Sequence, residues 1–315
     1  MKGYFIGMDV GGTYARLKIC DPSGQILHSS EGKGGTISAM GVKTMEERFR
    51  ALLLPALKTC GLQPEECLGL YMGASGVDSP SLARQYELIL ENMGFARTRF
   101  QVSNDCEMLL SLFSGPCIAL ISGTGSIAMG RASASSPIAR CGGWSFLLSD
   151  EGSAPSISFA AMRALLKHWD GQTECPGLAE LITNSTGYAS PEALVSWCHQ
   201  NLQNKDQLAR LAPLVEQAAN AGDLCAQELQ ANAVHELFEL VETTFRKLHL
   251  PEEKFSLLLW GSVATQNLTI RTGLCRMLHQ RFPQAKAYLL QSSALDCALQ
   301  LAMKQSVYGM LHELT

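Results

Sequence analysis

The stretch 117–153, CIALISGTGSIAMGRASASSPIARCGGWSFLLSDEGS, limits what this chain can fold into more than any other. It opens with an apolar run, 117–121, of the length a buried strand needs. The turn Ser122-Gly123-Thr124-Gly125-Ser126 follows. Gly123 and Gly125 tolerate positive φ and present no Cβ, so a ligand can approach the backbone there. Residues 127–130 read as the returning strand. After a small-residue loop come Gly142-Gly143-Trp144 and then Asp150-Glu151-Gly152-Ser153, which runs straight into a helical pattern. Two acidic residues at a helix start suit its dipole. An ordinary Gly-rich hairpin would read the same as the first part; the two parts together narrow the choice.

The same gesture opens the chain. Residues 4–9 form an apolar strand that ends in Asp9-Val10-Gly11-Gly12-Thr13, and 15–20 and 26–30 complete a three-strand meander around the turn Asp21-Pro22-Ser23-Gly24. A strand ending in Asp-x-Gly-Gly-Thr has a chemical use. Its glycines let backbone N–H groups face phosphate oxygens, its Thr adds a hydroxyl, and its carboxylate can hold Mg²⁺ through water. A plain hairpin turn is the alternative. The two Gly-Thr turns, 9–13 and 122–126, read as equivalents in two related domains.

Between them, 32–41 reads as a flexible polar loop. Residues 42–60 read as a helix with Met45, Phe49, Leu52, Leu53, Ala56 and Leu57 on one face, kinked at Pro55 and stopped by Gly61. Residues 68–74 are a buried strand, followed by the turn Gly73-Ala74-Ser75-Gly76-Val77-Asp78 and a helix with Ser79 as N-cap and Pro80 at its first position. A short strand, 99–102, ends at Ser103-Asn104-Asp105. Asp105 could simply cap the next helix, yet it also stands at the carboxyl end of a strand, where α/β folds place their chemistry. From 156 to 250 the chain is nearly all helical, with segments at 157–166, 191–201, 207–219 and 223–250, the last stopped by Pro251. The strand 255–260 leads to Gly261-Ser262-Val263, and a helix over 292–302 closes the pattern.

Charged residues are 17% of the 315-residue chain, apolar residues 46%, and the net charge is −4, which suits a soluble globular protein and gives no footprint for nucleic acid. No 18-residue apolar run exists, and residues 1–10 do not make a signal peptide, so a membrane partner is not expected and a cytoplasmic location is. The 11 cysteines lie singly and never as CxxC, which reads as reduced, mostly buried small side chains rather than a metal or disulfide framework. GxxxxGK[ST] is absent, and no GxGxxG follows a strand.

GTGS at 123–126 followed by GGWxxxxxDEGS at 142–153 resembles the family of N-acetylglucosamine kinases and BadF-type ATPases, within the sugar kinase, actin and chaperone-ATPase superfamily. DxGGT at 9–13, the GxSG-like turn at 73–76, Asn104-Asp105, Gly261-Ser262-Val263 and the ending at 292–302 match in the same order. The resemblance implies an α/β fold of two ribonuclease-H-like (actin-like ATPase) domains around a central cleft, the second enriched in helices. The first would span 1–114, completed by a C-terminal helix over 292–315, and the second 115–291. It implies an ATP-dependent sugar kinase with ATP and Mg²⁺ as cofactors, a small sugar as partner and room for a homodimer. Gly11, Gly12 and Thr13 with Gly123, Thr124 and Gly125 would hold the phosphates. Asp9 would position Mg²⁺, and Gly261 and Ser262 would back the adenosine. Asp105 would take the proton of a sugar hydroxyl. Ser38, Ser75, Gly76, Asn104, Trp144 and Asp150 would line the sugar.

Two departures bear on the sugar: Ile37-Ser38 stands where the family offers an Asn, and GGWG is here Gly142-Gly143-Trp144-Ser145. The same resemblance admits an ATPase that activates a dehydratase or reductase partner, or a non-catalytic sugar or nucleotide sensor. The activator's cysteine motifs are missing, and Asp9 and Asp105 argue against the sensor. An amino sugar, N-acetylglucosamine or glucosamine phosphorylated at the 6-hydroxyl, is the expected substrate. Purified protein is expected to carry no stoichiometric iron or zinc by elemental analysis; a brown protein holding iron and sulfide after anaerobic purification would favour the activator.

Overall fold

A computed structural model of the chain describes residues 3–77, 79–202, 204–250, 252–304 and 310–314. The first strands are the expected meander: β1 (Tyr4–Val10), β2 (Tyr14–Cys20) and β3 (Ile26–Lys33) pair antiparallel. After α1 (Ile37–Cys60), β4 (Cys67–Ala74) returns parallel to β1; after α2 (Pro80–Asn92), β5 (Phe100–Ser103) adds parallel to β4, and α3 (Asp105–Leu110) follows. The sheet order is β3-β2-β1-β4-β5. Tyr4, Ile6 and Met8 of β1 are buried with Phe49 and Leu53 of α1 and Tyr86 of α2 in one apolar cluster.

Two local expectations change. β3 continues to Lys33, so the loop read over 32–41 shrinks to Gly34-Gly35-Thr36, and Thr36 caps α1 by accepting from Ala39 N. The break in α1 lies at Gly41 (φ 79°), not at Pro55. Glycine is free to adopt that φ, whereas the proline ring holds a φ that is itself helical. Gly61 ends the helix in the left-handed region (φ 66°), as expected. Asp78 of the expected 73–78 turn lies outside the described residues.

The second sheet starts the same way. β6 (Cys117–Ser122), β7 (Ser126–Arg131) and β8 (Ala139–Gly142) pair antiparallel. Six α-helices come next: α4 (Ala154–Trp169), α5 (Pro176–Thr186), α6 (Pro191–Asn201), α7 (Lys205–Leu208), α8 (Ala212–Asn220) and α9 (Leu224–Leu248). β9 (Ser256–Trp260) is parallel to β6, and after α10 (Ser262–Gln266) and α11 (Leu268–Arg281), β10 (Lys286–Leu290) is parallel to β9. α12 (Ala294–Ala302) and β11 (Leu311–Leu314) complete the chain, and the sheet order is β11-β10-β9-β6-β7-β8.

β8 sits inside the expected small-residue loop: all four of its residues are half-exposed, so it has no apolar alternation to read. The single helix read over 207–219 is α7, a 3₁₀ turn over Ala209–Leu211 and α8, with Pro213 in the first turn of α8. α5, α10, α11, β10 and β11 are further elements beyond those the sequence pattern predicts. Pro251 lies outside the described residues; α9 is closed by His249 at φ 48°. The helix expected over 292–315 ends at Ala302, and Leu311–Leu314 is a strand beside β10; 305–309 and 315 lie outside the described residues.

Contacts divide the chain into two compact units, Met1–Ser114 with Leu290–His312, and Gly115–Leu289 with Glu313–Thr315. α12 therefore packs with the first unit, although the whole of the second sheet's β6–β10 precedes it. The reason is on β1 and β4. A methyl at Gly7 would lie 2.4 Å from Leu299 N, and one at Gly69 would lie 2.4 Å from Ala302 O. Both glycines let the helix backbone lie directly on the sheet. Ser293 and Asp296 form a capping box at its start, and Asp296 also pairs with Lys18 of β2. Gly7→Ala is expected to cost about 1–3 kcal/mol, the usual penalty for overpacking a filled site. Urea denaturation checks it, and unchanged stability would mean that α12 does not rest on β1.

Candidate active site

Parallel strands pin several of the expected residues to one sheet edge. Asp9 is in register with Gly73, and Gly73 with Ser103, so the turns after β1, β4 and β5 leave the same edge. Those turns carry Gly11-Gly12-Thr13, Ser75-Gly76 and Asn104-Asp105. In the second sheet Ile121 is in register with Trp260, which brings the Gly123-Thr124-Gly125 turn beside Gly261-Ser262.

In the first unit, Gly11 N donates to Tyr14 O (2.9 Å), Gly34 N to Thr13 O (2.9 Å) and Gly35 N to Gly11 O (2.9 Å). A methyl at Gly34 would stand 2.3 Å from Gly11 O, so this glycine, which the sequence reading passed over, supports the turn. Gly12 faces open space, and Gly12 and Thr13 are exposed. Asp9 is half-buried, and burial raises its carboxyl above the ordinary range while Arg16, opposite it on β2, pulls it back. Arg16 itself is bound to Glu31 (2.6 Å).

Other expected residues turn out to be engaged locally. Ser75 donates both its N–H (2.9 Å) and its hydroxyl (3.2 Å) to Val10 O. Gly76 (φ 80°) packs against the Thr36 methyl, and Ser38 is exposed in the first turn of α1. At the end of β5 the N-cap of α3 is Asn104, whose side chain accepts from Cys106 N (2.8 Å). Asp105 is the first helical residue, half-buried, and its Oδ1 also accepts from Cys106 N (2.9 Å). The simple capping role considered for Asp105 thus belongs chiefly to its neighbour.

In the second unit the β6–β7 turn closes through Gly123 N to Gly125 O (2.9 Å) and is fastened to the residues before α4. Ser122 Oγ donates to Gly152 O (2.9 Å), Ser126 Oγ to Glu151 O (2.6 Å), and Ala154 N to Gly123 O (2.8 Å). Ser153 caps α4, so Asp150 and Glu151 precede the helix and its first turn contains no acid. The expected dipole contact is therefore not made. A methyl at Gly125 would lie 2.9 Å from Asp150 Oδ2; the room left by this glycine is occupied by that carboxylate. Gly261 (φ 87°) is required by a different neighbour: its methyl would stand 2.3 Å from Ser122 O. A cavity of about 220 Å³ opens beside the turn, lined by Thr124, Ala154, Ala212, Glu216, Ser262 and Asn267.

Asp150 is the unusual group. It is 7% exposed, its φ is 62°, and its Oδ1 has no hydrogen-bond partner. Burial raises its pKa, with Glu151 adding to the rise and Lys205, the nearby Ser126 backbone and Arg140 opposing it. Trp144, by contrast, is 74% exposed. Gly142 (φ 75°) and Gly143 (φ 73°) turn the chain outward there, and the Arg140 guanidinium lies 4.3 Å from the indole centroid. Arg140 also donates to Gly142 O (3.2 Å) and Gly143 O (2.5 Å). Arg140 and Lys205 gave no sequence signal, because each stands among polar residues with no motif around it.

Known proteins resemble the chain in family, in sequence and in fold. A model of the BadF/BadG/BcrA/BcrD ATPase family matches residues 6–298. The chain is 26% identical over 304 residues to the N-acetylmuramic acid/N-acetylglucosamine kinase of Clostridium acetobutylicum, covering 96% of this chain and 99% of that protein. It is also 26% identical to the N-acetyl-D-glucosamine kinase of Dictyostelium discoideum, over 90% of this chain and 93% of the relative. Among solved structures, a provisionally named N-acetylglucosamine kinase of Chromobacterium violaceum superimposes with a TM-score of 0.72 at 25% identity, over 95% of this chain and 99% of that one. A ROK family glucokinase of Streptomyces griseus shares the fold at a TM-score of 0.56 and 15% identity, over 96% of this chain and all (100%) of its own. The two sheets with their helices are the actin-like sugar-kinase fold.

Because the folded-state pKa of Asp150 is raised, its neutral form is the one the fold favours. Its contribution to stability is present below the unfolded carboxyl value and is lost as pH rises through the folded one. Asp150→Asn keeps the shape and tolerates the left-handed backbone. In the absence of ligand the variant is expected to melt above wild type at pH 8, with the gap closing toward pH 4. Thermal melts across that range test it, and a variant less stable at pH 8 would contradict the electrostatic cost.

Proposed function

The chain belongs to the BadF/BadG/BcrA/BcrD ATPase family, and from that premise we propose that it is an ATP-dependent kinase of an amino sugar, N-acetylglucosamine first and glucosamine second, acting at the 6-hydroxyl. The observation that carries the reading is Asp150 with its buried, unpartnered Oδ1. A buried acceptor without a donor costs about 1–3 kcal/mol, more when charged, and a sugar hydroxyl supplies the missing donor. The names of the two 26%-identical relatives point to the amino sugar.

The residues fit an ATP-Mg²⁺ complex. Gly12, with open space at its Cβ position, and the exposed Thr13 and Thr124 offer backbone N–H groups and hydroxyls to phosphate oxygens. Gly11, Gly123 and Gly125 shape the same two turns. The cavity beside Thr124 and Ser262 suits an adenosine, walled by the small Ala154 and Ala212 and backed by Gly261. Asp9 would hold Mg²⁺ through water. When bound, the nucleotide and metal supply the phosphoryl group and offset its charge.

Asp105 acts as the general base, taking the proton of the attacking hydroxyl at its carboxylate. Asn104 fixes the start of α3 and so the place of Asp105, while Ser75, held on Val10 O, sets the β4 turn beside it. Asp150 orients the sugar ring, and Trp144 offers an exposed apolar face to it. By the family resemblance Ser38 and Gly76 would also contact the sugar, and Ser38 is shorter than the Asn the family offers there. Related amino sugars are therefore accepted, since a pocket differing by a methyl-sized contact discriminates by only about 1–3 kcal/mol. Among the described residues no helix is long and apolar enough to cross a membrane, and we place the enzyme in the cytoplasm with its ATP.

The test is kcat/KM for N-acetylglucosamine, glucosamine, N-acetylmuramic acid, N-acetylmannosamine and glucose, with Asp105→Asn alongside. The variant should lose roughly 10²–10⁴ in kcat, the usual worth of a general base, while calorimetry finds ATP affinity unchanged. Preference for glucose would overturn the amino sugar, and wild-type turnover by Asp105→Asn would overturn the base.

A further inference from the structure

The cavity of about 220 Å³ beside the β6–β7 turn has a polar part that the phosphate and sugar contacts leave unused. Its walls include the buried apolar residues Ile157, Ala212 and Val263, a setting for a flat ring. It is also lined by Glu216 of α8 and by Asn267, the residue before α11. Both side chains are oriented by the start of the same helix. Glu216 Oε1 accepts from Leu268 N (3.0 Å), and Asn267 Oδ1 accepts from Ile270 N (2.9 Å). Those two bonds decide which atom of each side chain is engaged. The Asn267 oxygen serves the helix, so its amide Nδ2 is the group left over, and Glu216 is left with Oε2. Among the described residues neither of these two groups has a protein partner, although Asn267 is only 8% exposed. A buried amide donor and a half-buried carboxylate oxygen cost stability when unpaired, and here they belong to residues that line one cavity.

We propose that Glu216 and Asn267 read the base of the nucleotide, selecting a 6-aminopurine over a 6-oxopurine. In the bound state Glu216 Oε2 accepts from the exocyclic 6-amino group, and Asn267 Nδ2 donates to the adjacent ring nitrogen, an acceptor in adenine. A 6-oxopurine carries a carbonyl oxygen in place of the amino donor, so it meets the Glu216 carboxylate acceptor to acceptor. The inference rests on the reading of this cavity as the adenosine site, and it adds what makes that site selective. A capping role does not account for the pair. Asn267 already caps α11, and capping uses one oxygen of Glu216 and none of the Asn267 amide. No motif announces the pair, because 52 positions separate Glu216 from the Leu268 amide that orients it.

Calorimetry of the full-length protein with adenosine diphosphate and inosine diphosphate, each with Mg²⁺, tests it, since the two nucleotides differ only in the base. Wild type should bind the adenine nucleotide roughly ten- to a hundredfold more tightly, the usual worth of a paired base contact. Glu216→Gln keeps an oxygen for Leu268 N and turns an amide donor to the cavity. The adenine nucleotide should then weaken, the inosine nucleotide tighten, and the preference fall to about twofold or less. Asn267→Asp keeps the cap of α11 and removes the donor, so the adenine nucleotide should weaken about tenfold. Both variants should melt near wild type without ligand, because both helix contacts remain. A merely structural role would lower the melting temperature and leave the ratio of the two affinities unchanged. Equal binding of the two nucleotides by wild type would overturn the proposal and leave the nucleotide site standing. A Glu216→Gln variant that weakens both nucleotides alike would put the carboxylate on the ribose, and would overturn it as well. If wild type binds neither nucleotide, the adenosine reading of the cavity fails and the base reading falls with it.

Discussion

The site depends on one short set of hydrogen bonds, the fastening of the β6–β7 turn to the residues that lead into α4. Two buried serine hydroxyls, Ser122 and Ser126, donate to the consecutive carbonyls of Gly152 and Glu151, and the first amide of α4 donates back to Gly123 O. Buried polar groups must be paired, and here each partner is another part of the same site. The β6–β7 turn and the stretch that carries Asp150 are therefore tied to each other by direct hydrogen bonds. Moving either one breaks bonds of the other. Gly125 shows how tight the coupling is, since the space a side chain would need is filled by Asp150 Oδ2.

Close backbone approach does the same work elsewhere. Gly261 lets β9 turn into α10 against Ser122 O, Gly34 lets the chain after β3 lie under the Gly11 carbonyl, and Gly7 and Gly69 seat α12 on its sheet. In each case the glycine is dictated by a protein neighbour rather than by a ligand. Gly12, Thr13 and Thr124 in the same turns stay exposed, with nothing within 4 Å of the Gly12 Cβ position.

Electrostatics runs against stability at the same place. Asp150 is a carboxyl whose pKa is raised by burial, with Glu151 adding to the rise, and Lys205 and Arg140 offset the cost only in part. A fold selected for stability alone has no use for such an arrangement. A carboxyl perturbed by burial at such a turn is a candidate for a group that meets a polar ligand.

How much of this was legible beforehand follows from how far apart the interacting residues are in sequence. The strands β1, β2, β4, β6, β7 and β9 announced themselves by apolar runs between turn glycines, and the Gly-Thr turns, Asn104-Asp105 and the 150–153 acids by local composition. β8 did not, because a half-exposed edge strand has no alternation, and α11 did not, because its apolar residues are spread among polar ones. Sequence alone thus determined the order of elements around the two turns and the residues placed at the strand ends, since those depend on neighbours a few positions away. Only the tertiary structure decided that Asn104 rather than Asp105 caps α3, that Asp150 is buried with a lone oxygen, and that Trp144 faces outward under Arg140. The burial of Asp150 is set by the segments packed around it, Gly125 among them, while the cap of α3 and the stacking of Arg140 on Trp144 are settled by backbone geometry that composition does not reveal.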